Sequence, residues 1–327
     1  MIKKLRLFDG QGYDPYYNLA VEQRLLETVP EGVCILYLWQ NRNTVVIGRN
    51  QNARKECRTE KLREDGGLLA RRPSGGGAVF HDLGNLNFTF LMRTEDHDLR
   101  RQSEVILRAC RSLCIPAALS GRNDLTAEDG RKFSGSAFFR SRGRSLHHGT
   151  LLVDADMGKL ARYLRPSEAK LRAKGVDSVR ARVVNLSELS EHITIPKVHD
   201  ALIGSFEEVY GLPSERIEPD ALDPDAVNAI FERFRSWEWI CGQEHDADYS
   251  CECRFPWGEL RLELSTDGGV IRHVSAWTDA MDWTLPEKLS GALCGSRFDI
   301  PEICKKISAA EVPEAEDICK LLREQDL

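Results

Sequence analysis

The sequence lacks the patterns of several common catalytic and metal sites. No GxxxxGK(S/T) segment occurs in its 327 residues, which argues against a P-loop, and the GxGxxG spacing of a dinucleotide site is missing. No GxSxG elbow is present, so a serine hydrolase of that type is not indicated. The ten cysteines form no CxxC pair, and we therefore expect reduced thiols and no structural metal.

A positive net charge and long apolar runs are also missing. The net charge of −6 and the pI near 5.8 argue against nonspecific nucleic-acid binding. Few apolar side chains precede Asp9, and no run approaches the length of a membrane span, so we expect a cytoplasmic protein without a membrane partner. The 42% hydrophobic and 29% charged residues are typical of a globular chain, whose length favours one large domain and a smaller one.

The most demanding stretch of the chain is Arg71 to Asp82, where two arginines precede three consecutive glycines. Three glycines in a row cost folding entropy, permit positive φ angles and let a ligand lie against main-chain N–H groups. With two guanidiniums beside them, the expected ligand is anionic, a phosphate or a carboxylate. The alternative is a surface turn with solvated arginines. Alternating polar and apolar residues over Gly84 to Phe90 predict a half-buried strand, which favours a pocket wall.

A second informative region runs from Gly121 to Val153 and predicts three antiparallel strands. Glu128-Asp129-Gly130 would close a hairpin between the first two strands. Lys132 alternates with Phe133, so one of the two side chains faces inward. A lone lysine on a strand is ordinarily solvent-exposed, but the small residues at 134–136 leave room for a ligand beside an inward lysine. His147 and His148 lack carboxylate or cysteine partners at ligand spacing, so they do not indicate a metal site.

A third region, Leu171 to Arg182, carries four basic residues around a glycine without a clean helical or strand period. It is either a solvated basic loop or a flap that orders over an anion.

The remaining pattern predicts ordinary helices and strands. Asp14 caps a helix whose core face would carry Tyr17, Val21, Leu25 and Thr28. Two strands at 34–40 and 44–48 read as a hairpin, and residues 53–64 and 98–114 as helices. Further helices are predicted from Thr194 and from Asp223. Beyond a polar linker at 242–248, three alternating strands and three helices indicate a small domain without a catalytic constellation of its own.

Four ordered motifs resemble those of lipoate–protein ligase A. They are Arg-Arg-x-Ser-Gly-Gly-Gly-Ala-Val-x-His-Asp at 71–82, Gly-Arg-Asn-Asp-Leu at 121–125, Lys-x-Ser-Gly-Ser-Ala at 132–137 and His-His-Gly-Thr-Leu-Leu at 147–152. The basic segment at 173–186 also resembles the adenylate-binding loop of that family, and Ser-Trp-Glu-Trp at 236–239 resembles the end of its large domain. The resemblance covers essentially the whole chain.

The resemblance implies an α+β fold, the biotin/lipoate ligase catalytic domain, which is akin to class II synthetase cores. It implies a mixed, mainly antiparallel sheet flanked by helices, followed by a small α+β C-terminal accessory domain. We place the catalytic domain at residues 1–246 and the accessory domain at 247–327.

The resemblance also implies the residues of the site. Lys132 is the implied catalytic residue, in contact with both the lipoate carboxylate and the α-phosphate. The implied lipoate site consists of Arg71, Ser74, Gly75, Gly76, Lys132, His148 and Gly149. The implied ATP or adenylate site consists of Arg71, Gly76, Gly77, Ala78, Val79, Asn123, Asp124, Lys132, Lys174, Arg180 and Arg182. Asn85 and Asp124 are the implied magnesium-bearing residues.

The implied activity is that of an ATP-dependent lipoate–protein ligase. Lipoate and ATP would form lipoyl-AMP and pyrophosphate, and the lipoyl group would then pass to a specific lysine of an apo lipoyl domain. The implied acceptors are the acyltransferase subunits of 2-oxo acid dehydrogenases and the glycine cleavage H protein. Magnesium would accompany ATP, and we expect a monomer.

Three alternatives stay open. An octanoyl- or lipoyltransferase of the same fold would need a nucleophilic cysteine near Lys132, and none occurs between Thr150 and Cys241, although the sequence does not place Cys34 or Cys57. A related variant would use preformed lipoyl-AMP, and a non-catalytic module would bind lipoate or nucleotide. The chain departs from the family pattern at Pro73, where many members carry a basic residue, and in the short hairpin before Lys132.

Overall fold

The computed structural model describes residues 1–120, 124–165, 183–241 and 247–324. In chain order its strands are β1 Lys4–Asp9, β2 Val33–Trp39, β3 Thr44–Ile47, β4 Leu68–Arg71, β5 Val79–His81, β6 Asn85–Arg93, β7 Ala117–Ser120, β8 Asp124–Ala127, β9 Lys132–Ser141, β10 Arg144–Leu152, β11 Ser214–Arg216, β12 Tyr249–Phe255, β13 Gly258–Asp267 and β14 Val270–Thr278. Its helices are α1 Pro15–Thr28, α2 Ala53–Glu56, α3 Thr59–Glu64, α4 Leu99–Ser112, α5 Met157–Tyr163, α6 Ile195–Tyr210, α7 Pro224–Arg235, α8 Trp237–Ile240, α9 Leu285–Leu293, α10 Ile300–Ala309 and α11 Ala315–Glu324.

The main sheet has eight strands in the order β11-β1-β2-β6-β10-β9-β8-β7. β1 runs parallel to β2 and β11, and the other neighbouring pairs are antiparallel. The predicted α+β fold with a mixed, mainly antiparallel sheet is therefore confirmed. The predicted hairpin closed by Glu128-Asp129-Gly130 is also present, since β8 pairs with β9 on either side of it.

Helices cover both faces of this sheet. On one face Phe88 and Phe90 pack with residues of α4 and α6, and on the other Tyr37 and Leu91 pack with residues of α1 and α7. The half-buried character predicted for the strand at 84–90 is therefore wrong, because the polar residues of β6 are as fully buried as its apolar ones. Their polar groups must find partners inside the protein.

A second sheet, in the order β4-β3-β5, corrects the hairpin predicted between residues 34–40 and 44–48. β2 is paired on both edges by β1 and β6, so β3 has no edge to join and pairs instead with β4 and β5. The Asn18 amide donates to the Gln40 carbonyl and to Asn41 Oδ1, which holds the chain where it leaves the main sheet. The glycine-rich segment thus connects two strands that flank β3.

Two helix predictions need refinement. Asp14 caps α1 as expected, accepting from the main-chain N–H groups of Tyr16 and Tyr17. Tyr17 and Thr28, however, are exposed, and the buried face of α1 includes Asn18 and Glu22. The single helix predicted at 53–64 is two short helices, because Cys57 forms a β-bridge with Leu164 between them.

The C-terminal part of the chain has its own antiparallel sheet, β12-β13-β14, with α9, α10 and α11 packed against it. Leu262, Leu264, Leu289 and Ile318 are among the buried residues of its core. The boundary placed between residues 246 and 247 stays a prediction, since 242–246 lie outside the described residues. Among the described residues no helix is both long and apolar enough to span a membrane.

Candidate active site

A cavity of about 360 Å³ lies where the main sheet, the small β4-β3-β5 sheet and the C-terminal part of the chain meet. Its lining comes from α1, from several strands of both sheets, from the segment between β4 and β5, and from the loop after β14. The lining residues include Arg72, Gly76, Gly77, Ala78, Val79, His81, Asn87, Asp124, Lys132, Gly135, Ala137, His148, Gly149, Asp279 and Met281.

Lys132 faces this cavity, and Phe133 faces the core. The Lys132 ammonium lies 2.8 Å from Asp124 Oδ1 on the neighbouring strand. A β-carbon on Gly135 would come within 2.8 Å of Lys132 Nζ, so the absence of a side chain there makes room for the lysine. The register between β8 and β9 shifts next to Leu125, which puts Asp124 opposite Gly135 and Thr126 opposite Lys132. The inward orientation expected from the small residues after Lys132 is what the structure has.

The segment Ser74 to Val79, which we call the glycine loop, is held by close backbone contacts. A β-carbon on Gly48 would lie 2.1 Å from the Gly76 carbonyl oxygen, and one on Gly75 would lie 2.4 Å from that of Ala280. Gly76 has a φ of +88°, and its N–H donates to the Ala280 carbonyl at 3.2 Å. A β-carbon on Gly77 would meet no atom within 4 Å. One glycine N–H of the loop is thus occupied by the C-terminal part of the chain.

The two arginines before the loop bind the protein's own backbone, which corrects the expectation that both present themselves to an anion. Arg71 is buried and donates to the carbonyls of Gly48, Arg49, Gln51 and Ile240. It is not among the residues that line the cavity, whereas Arg72 is.

Arg72 holds the glycine loop from within. Its guanidinium donates to the carbonyls of Val46, Gly75 and Gly77 and to Ser74 Oγ. Burial lowers the pKa of Arg72 to about 10, and the negative charge of Glu22 opposes that shift. These contacts fix the path of the loop.

A buried chain of side chains connects α1 to the glycine loop. Glu22 Oε1 lies 2.8 Å from His148 Nδ1 and also accepts from Thr89 Oγ1 at 2.6 Å. His148 Nε2 lies 2.7 Å from Ser74 Oγ. Because the carboxylate can only accept, His148 donates through Nδ1, and its Nε2 is joined to the Ser74 hydroxyl. Ser74 itself has no exposed surface, so it supports the cavity wall from behind.

His81 supplies a neutral ring to the cavity. Burial lowers its pKa to about 3, with further lowering from the positive charge of Arg72 and from His148. Asn41 Nδ2 lies 3.1 Å from His81 Nδ1, and Asn41 Oδ1 is already occupied by Asn18. His81 therefore accepts at Nδ1 and carries its proton on Nε2, which has no protein partner among the described residues. Nε2–H is thus a buried donor at the cavity wall that no described group satisfies.

The C-terminal part of the chain contributes Asp279 and Met281 to the cavity, which the sequence did not suggest. Thr278 N–H donates to the Asn50 carbonyl, and the Asn50 amide donates to the Trp283 carbonyl. The Trp283 ring lies 5.0 Å from that of Phe139. The loop after β14 is therefore docked on the large domain on both sides of Met281.

The structure brings most of the other expected residues together. Gly76 to Val79, Asp124, Lys132, His148 and Gly149 line one cavity. Asn85 does not line it, and its amide instead donates to Asn87 Oδ1, so Asn87 is the amide of β6 that reaches the cavity. Asn123, Lys174, Arg180 and Arg182 lie outside the described residues. Within the described ranges no group of three or more His, Cys, Asp or Glu side chains could hold a metal ion.

Several residues of the site were not among the expected site residues: Glu22, His81, Asn87, Asp279 and Met281. A signal existed for Glu22, since Asn18 and Glu22 are polar residues four apart on the same face of α1 as Leu25 and Leu26. The alternation of Asn85, Asn87 and Thr89 with apolar residues was equally visible. Both faces of β6 are buried, so its polar side chains point into the protein, and Asn87 reaches the cavity. No sequence signal places Asp279 or Met281 at the cavity.

Cys34 and Cys57, which the sequence left unplaced, lie in hydrophobic cores away from the cavity. Burial raises the pKa of the Cys34 thiol to about 12 and that of Cys57 to about 11. No cysteine is among the described residues that line the cavity. An acyl-enzyme thioester at this site would therefore lack a nucleophile from that part of the chain.

Comparison with known proteins matches both parts of the chain. The family model of the lipoyl protein ligase A/B catalytic domain matches residues 14–207, and that of the bacterial lipoate protein ligase C-terminus matches residues 245–322. LipL1 of P. falciparum, solved in complex with lipoate, is similar over 98% of this chain and 100% of its own, at 28% identity and a TM-score of 0.86.

Two further solved structures are similar over a smaller share of the chain. A bipartite lipoate protein ligase from Thermoplasma acidophilum, described with its E2 lipoyl domain, covers 76% of this chain and 100% of its own, at 28% identity and a TM-score of 0.65. A lipoate-protein ligase A bound with ATP covers 74% of this chain and 99% of its own, at 26% identity and a TM-score of 0.62.

Proposed function

The chain belongs to the lipoyl protein ligase A/B catalytic-domain family, and we propose that it attaches lipoate to protein in two steps driven by ATP. In the first step a carboxylate oxygen of lipoate attacks the α-phosphorus of ATP, the bond from that phosphorus to the bridging oxygen breaks, and pyrophosphate leaves. In the second step the ε-amine of an acceptor lysine attacks the acyl carbon of lipoyl-AMP. AMP leaves, and the amine loses a proton as the amide forms.

The observation that carries the proposal is the position of Lys132 in a cavity that the glycine loop also lines. The reacting carboxylate and triphosphate are both anions and repel each other. A fixed ammonium beside both reactants would offset this repulsion and stabilise the charge that grows on the phosphoryl oxygens. Asp124 orients that ammonium through the 2.8 Å contact.

Other groups of the cavity suit the same reactants. His81 Nε2–H is a donor without a protein partner among the described residues, and Gly77 leaves open space beside the backbone. Leu19, Trp39, Val46 and Ala137 provide apolar wall for an acyl chain. Holding two reactants in line in such a site supplies roughly 7–11 kcal/mol of the activation barrier.

The expected magnesium site fits in part. Asp124 lines the cavity and is a carboxylate of the kind that holds Mg²⁺ together with nucleotide phosphates, whereas Asn85 is turned away from the cavity. When bound, the ion would neutralise charge on the leaving pyrophosphate. Lys174, Arg180 and Arg182 stay a predicted closing flap.

The relatives support the choice of substrates, because one of them was solved with lipoate, one with ATP and one was described with its E2 lipoyl domain. We propose apo lipoyl domains of 2-oxo acid dehydrogenase acyltransferase subunits and the glycine cleavage H protein as acceptors. The catalytic and accessory domains are proposed at 1–246 and 247–327.

The deciding experiment is lipoate-dependent exchange of labelled pyrophosphate into ATP without an acceptor protein. Exchange demonstrates reversible adenylation and is the result we expect. If exchange is absent but the protein transfers the lipoyl group from added lipoyl-AMP to an apo lipoyl domain, it is a transferase that uses a preformed adenylate. Absence of both activities, with lipoate or ATP still bound, would leave a binding module.

A further inference from the structure

A second pocket of about 380 Å³ lies beside the candidate active site and is lined by four arginines. We call it the arginine bowl, formed by Arg49, Arg142, Arg144 and Arg233. Pro73, which directly precedes the glycine loop of the active-site cavity, also lines the bowl.

The bowl and the cavity follow one another along the same elements. On β9, Ala137 lines the cavity, while Phe139 and Ser141 line the bowl. At about 3.3 Å per residue, Ser141 lies about 13 Å along the strand from Ala137. On α1, Leu19 lines the cavity and Gln23 lines the bowl. The two pockets are therefore close enough for one partner domain to contact both.

The positive charge of the bowl is only partly compensated. Arg49 lies 3.0 Å from Glu287 and over the rings of Trp239 and Trp283. Among the described residues, Arg142, Arg144 and Arg233 have no carboxylate within salt-bridge distance. Of the described residues that line the bowl, Glu27 alone carries a carboxylate.

Two of these arginines, Arg233 and Arg144, are in an unfavourable environment for a charged or polar group. Burial lowers the pKa of Arg233, Glu27 opposes that shift, and the like charge of Arg49 adds a smaller lowering. The Arg144 Nε atom is buried and has no hydrogen-bond partner in the described part of the chain. Like charges gathered around an open pocket are unfavourable unless an anion joins them.

Arg142 adds an independent observation from the backbone. It occupies the turn between β9 and β10 with a φ of +49°, followed by Gly143 at +72°. Asparagine, aspartate or glycine is the usual first residue of such a two-residue turn, because other side chains are strained there. The turn therefore carries a guanidinium at a position where backbone conformation does not favour arginine.

We propose that the arginine bowl docks carboxylates on the surface of the acceptor domain, next to the lysine that enters the active-site cavity. The inference rests on the proposed function, because it needs a protein acceptor. The whole chain carries a net charge of −6, so carboxylates of a partner meet favourable charge only at a local positive surface such as the bowl.

The test separates the two half-reactions. Lipoate-dependent pyrophosphate exchange needs no acceptor, and transfer from supplied lipoyl-AMP to an apo lipoyl domain does. For Arg142→Glu together with Arg144→Glu, we expect exchange within about twofold of wild type and a KM for the acceptor raised about tenfold. The salt dependence of that KM should flatten in the variant, since exposed charges are screened over about 10 Å at 0.1 M.

Arg100→Glu is the matched control, because Arg100 is an exposed arginine on α4, whose apolar residues pack on the opposite face of the main sheet. It should leave both activities unchanged. If the double variant does not fold, Arg142→Glu alone, at an exposed turn, carries the test with the same direction. An acceptor KM within twofold of wild type in either variant, or an equal change in Arg100→Glu, overturns the proposal.

A small-anion site is the remaining outcome to separate. Inorganic phosphate or pyrophosphate that binds wild type but not the variants, with the acceptor KM unchanged, would assign the bowl to a free anion and overturn acceptor docking. Failure of the proposed function would appear differently, as the absence of exchange and transfer in wild type.

Discussion

Glu22 and His148 lie 126 positions apart in the chain, yet Glu22 Oε1 and His148 Nδ1 are 2.8 Å apart, with both side chains buried. The pair ties α1 to the centre of the main sheet and, through Ser74, to the glycine loop. Glu22 is the buried carboxylate of this network, and Arg72 is its buried cation.

Replacing Glu22 by glutamine should loosen this network. The amide keeps the size of the side chain but removes the charge that faces His148, Thr89 and Arg72. We expect the free energy of unfolding to fall by about 1–3 kcal/mol, as measured by urea denaturation. Glu31→Gln, at an exposed position, should leave it unchanged. Equal stability of the two variants would show that the network is not coupled to the fold.

Lys132→Ala should reduce lipoate-dependent pyrophosphate exchange on the order of 10²–10³-fold, because the charge developing on the phosphoryl oxygens loses its ammonium partner. Circular dichroism should show an unchanged fold, since Lys132 is part-exposed in the cavity. Lys55→Ala removes another surface lysine paired with a carboxylate and should keep full activity. Near-normal exchange in Lys132→Ala would refute the catalytic assignment.

Gly135→Ala and Gly149→Ala should have different effects. A methyl group on Gly135 meets the flexible end of Lys132 at 2.8 Å, so we expect exchange to fall while stability is kept. A methyl group on Gly149 meets the Phe88 ring at 2.5 Å and the Gly135 carbonyl at 2.7 Å, which should cost about 1–3 kcal/mol of unfolding free energy.

The control for both glycine variants is Gly204→Ala in α6, where a methyl group meets nothing within 4 Å. The rate of pyrophosphate exchange and the urea midpoint of each of the three variants test these two expectations. Full activity in Gly135→Ala would mean that Lys132 does not need its present position.

Arg71→Lys should lower stability more than it changes substrate affinity. Lysine keeps the charge but cannot reach the four carbonyls that the guanidinium joins. We expect a loss of about 3 kcal/mol in unfolding free energy, compared with no loss for the exposed Arg100→Lys. Unchanged stability with a raised KM for lipoate would restore the ligand contact implied by the family resemblance.

Stability should fall as the pH is lowered from about 6.5 toward 3. In the folded protein the pKa of His81 is about 3, below its ordinary value, so in this window the unfolded chain binds a proton that the folded one does not. Each such histidine contributes up to about 1.4 kcal/mol per pH unit. His81→Asn should flatten the pH profile of the unfolding free energy, and the exposed His192→Asn should not. Parallel profiles for both variants would contradict a neutral buried His81.

Local patterns predicted much of the fold. The cap at Asp14, the helix from Thr194, the hairpin around Glu128-Asp129-Gly130 and the three strands after residue 248 depend on neighbouring residues, and the structure has all of them. The alternation of Lys132 with Phe133 predicted that one of the two faces inward, and the small residues that follow left room for the lysine, which lines the cavity in the structure. The family motifs, from whose resemblance the α+β fold was predicted, are likewise short contiguous patterns that can be read from neighbouring residues.

The tertiary structure decided what depends on distant partners. Arg71 and Arg72 are adjacent and chemically identical, and only the carbonyls around each determine that one is enclosed by backbone and the other reaches the cavity. β3 does not form the predicted hairpin with β2, because both edges of β2 are paired with other strands. Glu22 and Met281 reach the site from opposite ends of the sequence. Such contacts arise when whole elements pack, and no local periodicity encodes which surfaces will meet.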